Sequence, residues 1–396
     1  MRSGRSVRTV LVVLSGVVAG VLLLGAVPGA AAPPSSSAAP PAAPAGGPGT
    51  VVSAVPLAAT LPGRATRVLY RSTDTHGRPN TVSGTVVVPF VPPPGPLRLV
   101  SYAAGTQGLA DRCAPSRQFA AGTEYEAPFV STLLGRGYAV AITDYEGLGT
   151  PGEHTYVIRE AQAHAVLDVV RAARNLPLGI PRDGQVALAG YSQGGGASAA
   201  AAELAPSYAA DVDVVGTYAG AVPADLADVA AFLDGKPAAG LLAYAVNGFR
   251  AAYPELPIDQ VLNERGRRIL AETRQQCTQD TIPRYPGTRT ETLTRDGRPL
   301  TAYLDEEPFR SRVEEQRIGT RTPEAPVLIV HSPADDTVPF EQDRELAQRW
   351  CAQGATVQFV PTPVPTHVGA MPAGFAAAVP FLEARFAGRE AVSTCG

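Results

Sequence analysis

Gly190-Tyr191-Ser192-Gln193-Gly194 constrains this chain more than any other stretch, because of what stands on either side of it. Gln185-Val186-Ala187-Leu188-Ala189 reads as a short buried strand, and the Ala-rich residues 195–205 read as a helix. A G-x-S-x-G turn between strand and helix must be sharp: the glycines let backbone pass close to backbone, and the serine side chain is left exposed above the sheet. The pentapeptide alone is weak, since a chain with 40 Gly also makes plain glycine turns. The flanking strand and helix are what make Ser192 a candidate nucleophile.

The rest of the chain supplies the sheet that such a turn needs. Residues 67–72 and 81–88 flank His76-Gly77-Arg78-Pro79-Asn80 and predict an antiparallel hairpin. Further strands are expected over 97–102, 138–143, 212–218, 326–331 and 356–360, with helices over 128–134, 157–175 and 370–386. In the long helix Ala161, Ala165, Val169 and Ala172 share one face. Strands alternating with helices predict an α/β fold with a mostly parallel sheet flanked by helices on both faces.

One interval breaks that alternation. More than 100 residues separate Tyr218 from Pro326, too many for one crossover helix or a structureless loop. Residues 223–321 therefore read as an inserted helical cap, with 51–222 and 322–396 as the core. Its apolar first half, including Phe232, Leu233, Leu241, Leu242, Tyr244, Val246 and Phe249, fits a lid over the nucleophile or an ordinary helical subdomain with its own core.

Residues 1–32 read as a signal peptide: Arg2, Arg5 and Arg8 are basic, 10–24 is an apolar run, and Pro28-Gly29-Ala30-Ala31-Ala32 is a small-residue cleavage zone. The alternative, an uncleaved anchor, asks for roughly 20 apolar residues, more than the run provides. Residues 33–50, almost wholly Pro, Ala, Ser and Gly, read as a linker. A net charge of −3, with no Lys/Arg run after residue 8, argues against nucleic acid. The four cysteines of an exported chain imply two disulfides. Three pairings exist; Cys113 with Cys277 and Cys351 with Cys395 is preferred, because the last two lie in one C-terminal unit. No C-x-x-C spacing occurs, so zinc or thiol redox chemistry is not expected, and no cofactor or metal is called for.

A serine nucleophile needs a base, and the base needs an acid to hold its tautomer. Of the five histidines only His331 and His367 follow Ser192, and only His367 lies beyond the last strand, in what reads as a loop. His331 ends a strand and reads as a packing or supporting residue. Asp335 fits a D-x-x-V-P pattern just past that strand, with Asp336 as the alternative acid. For an oxyanion, one donor is expected from the backbone N–H of Gln193 and the other from Gly105-Thr106-Gln107-Gly108, where spacing does not separate Thr106 from Gln107.

Several blocks in order carry a resemblance. Gly105-Thr106-Gln107-Gly108 with Cys113-Ala114-Pro115-Ser116, Asp144-Tyr145-Glu146-Gly147-Leu148-Gly149, the Ser192 turn, Asp335-Asp336-Thr337-Val338-Pro339, and Cys351-Ala352-Gln353-Gly354-Ala355 with His367 resemble the secretory lipase family, in its actinobacterial branch, over residues 55–390. The resemblance implies an α/β-hydrolase core with an inserted helical lid, and a triacylglycerol lipase or carboxylesterase. It also implies a catalytic triad of Ser192, Asp335 and His367, and disulfides compatible with the preferred pairing.

The expected product is a secreted serine ester hydrolase acting as a monomer, with transient lipid contact through the lid. Acyl transfer to an alcohol, a peptidase of the same fold and a non-catalytic binding protein are the competing functions. Fold alone does not separate them.

Overall fold

The computed structural model describes residues 46–396, so the expected signal peptide and all but residues 46–50 of the expected linker lie outside the described residues. The strands are β1 (Val51–Leu57), β2 (Gly63–Thr73), β3 (Pro79–Pro89), β4 (Leu99–Ala103), β5 (Ala139–Thr143), β6 (Val186–Tyr191), β7 (Val214–Gly220), β8 (Val327–His331) and β9 (Val357–Pro361). They form one sheet in the order β1-β2-β3-β5-β4-β6-β7-β8-β9. The pairs from β1 to β3, and β3 with β5, are antiparallel; every pair from β5 through β9 is parallel.

The β2–β3 hairpin turns where Asp74 Oδ1 accepts the N–H groups of His76 and Arg78, each at 2.8 Å, a side chain substituting for a backbone turn. Strand β1 was not foreseen. It is an edge strand with nearly every side chain exposed, so it lacks the inward-facing alternation that identifies a strand in sequence.

In the parallel part, consecutive residues go to opposite cores. Val186 and Leu188 of β6 join one apolar cluster, whereas Ala187 and Ala189 join the other. Helices α1 (Pro115–Ala121) and α2 (Ala127–Gly135) lie on the second side, and α3 (Arg159–Asn175) and α4 (Gln193–Tyr208) on the first. Between β7 and β8 come α5 (Leu226–Leu233), α6 (Leu241–Ala252), α7 (Ile258–Val261), α8 (Glu264–Thr273), α9 (Thr278–Arg284), α10 (Leu300–Leu304) and α11 (Phe309–Glu314). After β8, α12 (Phe340–Ala352) returns to the α3/α4 side and α13 (His367–Phe386) to the α1/α2 side.

The helices between β7 and β8 have a core of their own. Tyr253, Leu256, Leu262, Ile269 and Leu270 cluster there with Ile158 and Ala161 from the start of α3. Beside this cluster lies an apolar cavity of about 90 Å³, lined by Leu242, Val246, Phe249, Leu262, Phe309 and neighbours. None of the large exposed apolar side chains among the described residues belongs to this segment.

Cys113 is bonded to Cys277, and Cys351 to Cys395. The first links the stretch before α1 to the start of α9; the second ties the end of α12 to the chain beyond α13. The second closes a loop of 44 residues. In the chain-entropy picture it restricts the unfolded state by about 4 kcal/mol. Replacing both Cys351 and Cys395 with Ser is expected to lower unfolding free energy by about that amount in a urea titration; a change under about 1 kcal/mol would mean that native contacts already hold this end.

Candidate active site

Strand β6 delivers Ser192 into the turn at φ 61° and ψ −123°, a positive φ that costs a non-glycine residue about 1–3 kcal/mol. Fixed bonds on both sides hold it there: Ser192 N–H donates to Gly220 C=O, and Ser192 C=O accepts from Gly196 N–H, each at 2.9 Å. Space explains the neighbouring glycines. A Cβ on Gly194 would lie 1.9 Å from Ala103 O, and one on Gly190 would lie 2.3 Å from Gly194 O. The helix can therefore start hard against the strands, and Ser192 stands half-buried at the C-terminal edge of the sheet, where α/β proteins place their sites.

Asp335 leaves the end of β8. Its Oδ1 accepts the N–H groups of Thr337 and Val338, each at 2.8 Å, and its Oδ2 accepts from His367 Nδ1 at 2.7 Å. His367 is the first residue of α13 rather than part of a loop. Thr366, at φ 64°, caps that helix by accepting Gly369 N–H, which starts α13 earlier than apolar periodicity suggests. Tyr191 joins the histidine to the Ser192 turn: its hydroxyl donates to His367 C=O at 2.8 Å, and the two rings are 5.1 Å apart. No hydrogen bond links Ser192 Oγ to His367 among the described residues; such bonds are often long before substrate binds. Asp336 instead accepts the backbone N–H of His367, at 3.0 Å.

His331 takes a larger part than packing. Its Nε2 lies 3.2 Å from Asp335 Oδ2, the oxygen that His367 also uses, and its Nδ1 lies 2.9 Å from Asp343 Oδ2 without hydrogen-bond alignment. Asp343 Oδ2 also accepts Val222 N–H at 2.9 Å. Burial opposes a charge on His331, but Asp343 and Asp335 on either side prevail and raise it to about 9. Burial likewise pushes Asp335 up, yet the hydrogen bonds from His331 and His367 hold it well below the usual carboxylate range.

A histidine raised from its ordinary value near 6.5 contributes stability that is fully present below about pH 6.5 and lost as pH rises toward about 9. Unfolding free energy of the wild type is expected to fall across that window, and His331→Gln, although less stable throughout, should show a flatter profile. Equal slopes in the two proteins would show that His331 does not carry the charge.

The expected oxyanion segment follows β4 and abuts the Ser192 turn, since a Cβ on Gly105 would come within 3.3 Å of Tyr191 O. The backbone N–H groups of Thr106, Gln107 and Gln193 donate to no protein acceptor among the described residues, which leaves them free for a ligand oxygen. Their side chains are occupied. Thr106 Oγ1 bonds Tyr156 OH at 2.7 Å, and Gln107 Nε2 donates to Glu124 at 2.9 Å. Gln193 Nε2 donates to Gln162 Oε1 at 3.0 Å and to His154 Nε2 at 3.2 Å. Burial lowers His154 to about 4, so the neutral ring donates from Nδ1 to Glu146 C=O and accepts at Nε2.

Sequence reasoning missed His154, Gln162 and Tyr156 because nothing in their spacing marks them; only the fold brings them behind the turn. His76 and His164 lie elsewhere, bonded to Ala252 O and Thr73 O. Among the described residues no three His, Cys, Asp or Glu side chains are grouped as metal ligands.

Residues 114–394 match the family model described as secretory lipase. Lipase A of Moesziomyces aphidis is 28% identical over 347 residues, spanning 83% of this chain and 73% of its own. The Mycobacterium tuberculosis protein named "Probable inactive lipase MT1628" is 33% identical over 351 residues, spanning 83% of this chain and 75% of its own. Candida antarctica lipase A in its closed state superposes with a TM-score of 0.80 at 26% identity, over 88% of this chain and 85% of that one. The rice cell wall degrading esterase LipA from Xanthomonas oryzae shares the fold, with a TM-score of 0.74 at 20% identity over 87% of this chain and 100% of that one.

Proposed function

The chain belongs to the secretory lipase family, and from that membership we propose that it cleaves carboxylic esters outside the cell through an acyl-enzyme formed on Ser192. It is a secreted lipase or carboxylesterase with the α/β-hydrolase fold. The observation that carries the mechanistic reading is the Asp335–His367 hydrogen bond of 2.7 Å beside a serine held at positive φ.

In this reading Ser192 Oγ attacks the ester carbonyl as His367 takes its proton through Nε2. Asp335 holds the opposite nitrogen, Nδ1, in its protonated form and stabilises the imidazolium. The negative charge that develops on the carbonyl oxygen is met by the N–H of Gln193 and that of Thr106 or Gln107; each such donor is worth about 3 kcal/mol in the transition state. His367 then protonates the leaving alcohol, activates water, and the acid departs. Residues 223–321 act as a lid over this site. The large apolar side chains of that segment are buried or half-buried, so a movement of the segment would enlarge the apolar surface it offers to lipid.

The experiment is hydrolysis of p-nitrophenyl esters from acetate to palmitate. A maximum at long chains assigns a lipase, and a maximum at acetate or butyrate a short-chain esterase. The relative named as inactive makes a non-catalytic protein the second reading. Absence of hydrolysis on every ester, with the chain folded, would reject ester cleavage, and inactivity in acyl-transfer and peptidase assays as well would decide for it.

A further inference from the structure

Three consecutive residues grip the expected oxyanion segment from behind. Glu124 Oε1 accepts from Gln107 Nε2 at 2.9 Å, Tyr125 OH donates to Thr106 C=O at 3.2 Å, and Glu126 Oε2 accepts from Gly105 N–H at 2.8 Å. The two tripeptides thus pair residue for residue in opposite directions. Among the described residues no other hydrogen bond reaches the N–H of Gly105.

The two acids of this clasp are 5% and 1% exposed. One oxygen on each, Glu124 Oε2 and Glu126 Oε1, has no hydrogen-bond partner, although a buried carboxylate ordinarily fills both. Among the described residues no Lys or Arg acts on either acid. The titratable groups around the pair are the phenols of Tyr102 on β4, Tyr125, Tyr145 and Tyr218 on β7, and the other polar neighbours are the side-chain amides of Gln107 and Gln118 and the backbone N–H groups of Gly105, Glu126 and Ala127. Two adjacent buried carboxylates without a counter-charge do not both ionise at low cost. Burial raises Glu124 to about 7, and burial together with the charge of Glu124 pushes Glu126 well above the usual range. Because the acids interact, the protons belong to the pair.

We propose that Glu124 and Glu126 are positioning residues whose shared proton keeps the segment Gly105-Thr106-Gln107 against the Ser192 turn. With at least one proton on the pair the clasp is closed. Loss of the last proton sets two buried anions against each other and moves the segment, withdrawing the oxyanion donor. This inference rests on the reading of Thr106 or Gln107 as that donor. The direction distinguishes it from the general requirement for an unprotonated catalytic base, which limits activity on the acid side.

The test combines kcat and KM of ester hydrolysis from about pH 5 to pH 10, read as acid released, with hydrogen exchange at Gly105. Glu126→Gln keeps an acceptor for Gly105 N–H and cannot ionise. The wild type should lose kcat on the alkaline side, whereas Glu126→Gln should stay within about threefold of wild-type kcat at neutral pH and lack that fall. Glu126→Ala should exchange faster at Gly105 and lose about 100-fold in kcat with KM nearly unchanged, the scale of one lost oxyanion donor. If Glu126→Ala does not fold, the pH profiles of Glu126→Gln and Glu124→Gln decide. An alkaline fall that persists in both overturns the shared proton, and unchanged exchange in Glu126→Ala overturns the clasp. Faster exchange with undiminished kcat overturns the positioning role and places the error in the oxyanion reading, because the contact would then be real and catalytically idle.

Discussion

Ser192→Ala is expected to lower kcat for ester hydrolysis about a millionfold while leaving the thermal unfolding temperature close to that of the wild type. The size follows from the triad acting as a unit: without Oγ, the base and the acid have no group to activate, and only binding and oxyanion contacts remain. The fold should be indifferent to the change. Ser192 holds its place through its N–H to Gly220 O and its C=O to Gly196 N–H, bonds that Ala retains. A variant that kept more than about one per cent of wild-type kcat would mean that the nucleophile is elsewhere.

Asp335→Asn is the second large effect, a loss of about ten-thousandfold in kcat. Asp335 Oδ2 accepts from His367 Nδ1 and His331 Nε2, whereas an amide offers one acceptor atom and two N–H donors for the same positions. Whichever way the Asn turns, an acceptor is lost, and the tautomer of His367 that presents a basic Nε2 is no longer enforced. Asp336→Asn provides the contrast. Among the described residues Asp336 reaches only the backbone N–H of His367 and a distant hydroxyl, Thr337 Oγ1, so it should cost about tenfold or less. Equal losses at the two positions would remove the preference for Asp335 as the acid.

What could be read from sequence was what local chemistry dictates. The strand–turn–helix around Ser192 was legible because Gly190 and Gly194 are positions where a side chain meets backbone, and the parallel strands were legible as short apolar runs. His367 was found by its place after the last strand, and its helix was expected over 370–386; only the first three residues of α13 were missed, because Pro372 and a small-residue first turn hide its start. β1 was invisible for lack of a buried face. For His331 a packing or supporting role could be read but not its partners, and His154, Glu124 and Glu126 were illegible altogether, for a different reason. Their partners lie in other elements, such as Asp343 on α12, Gln193 at the start of α4 and the turn after β4, and only sheet order brings them together.

The central claim is that an acyl group is carried on Ser192, and labelling with a long-chain fluorophosphonate followed by peptide mapping tests it most directly. One adduct per chain is expected, located on Ser192, formed far more slowly when His367 is replaced by Ala and absent from Ser192→Ala. An adduct on any other residue, or none from a preparation that hydrolyses esters, would contradict it.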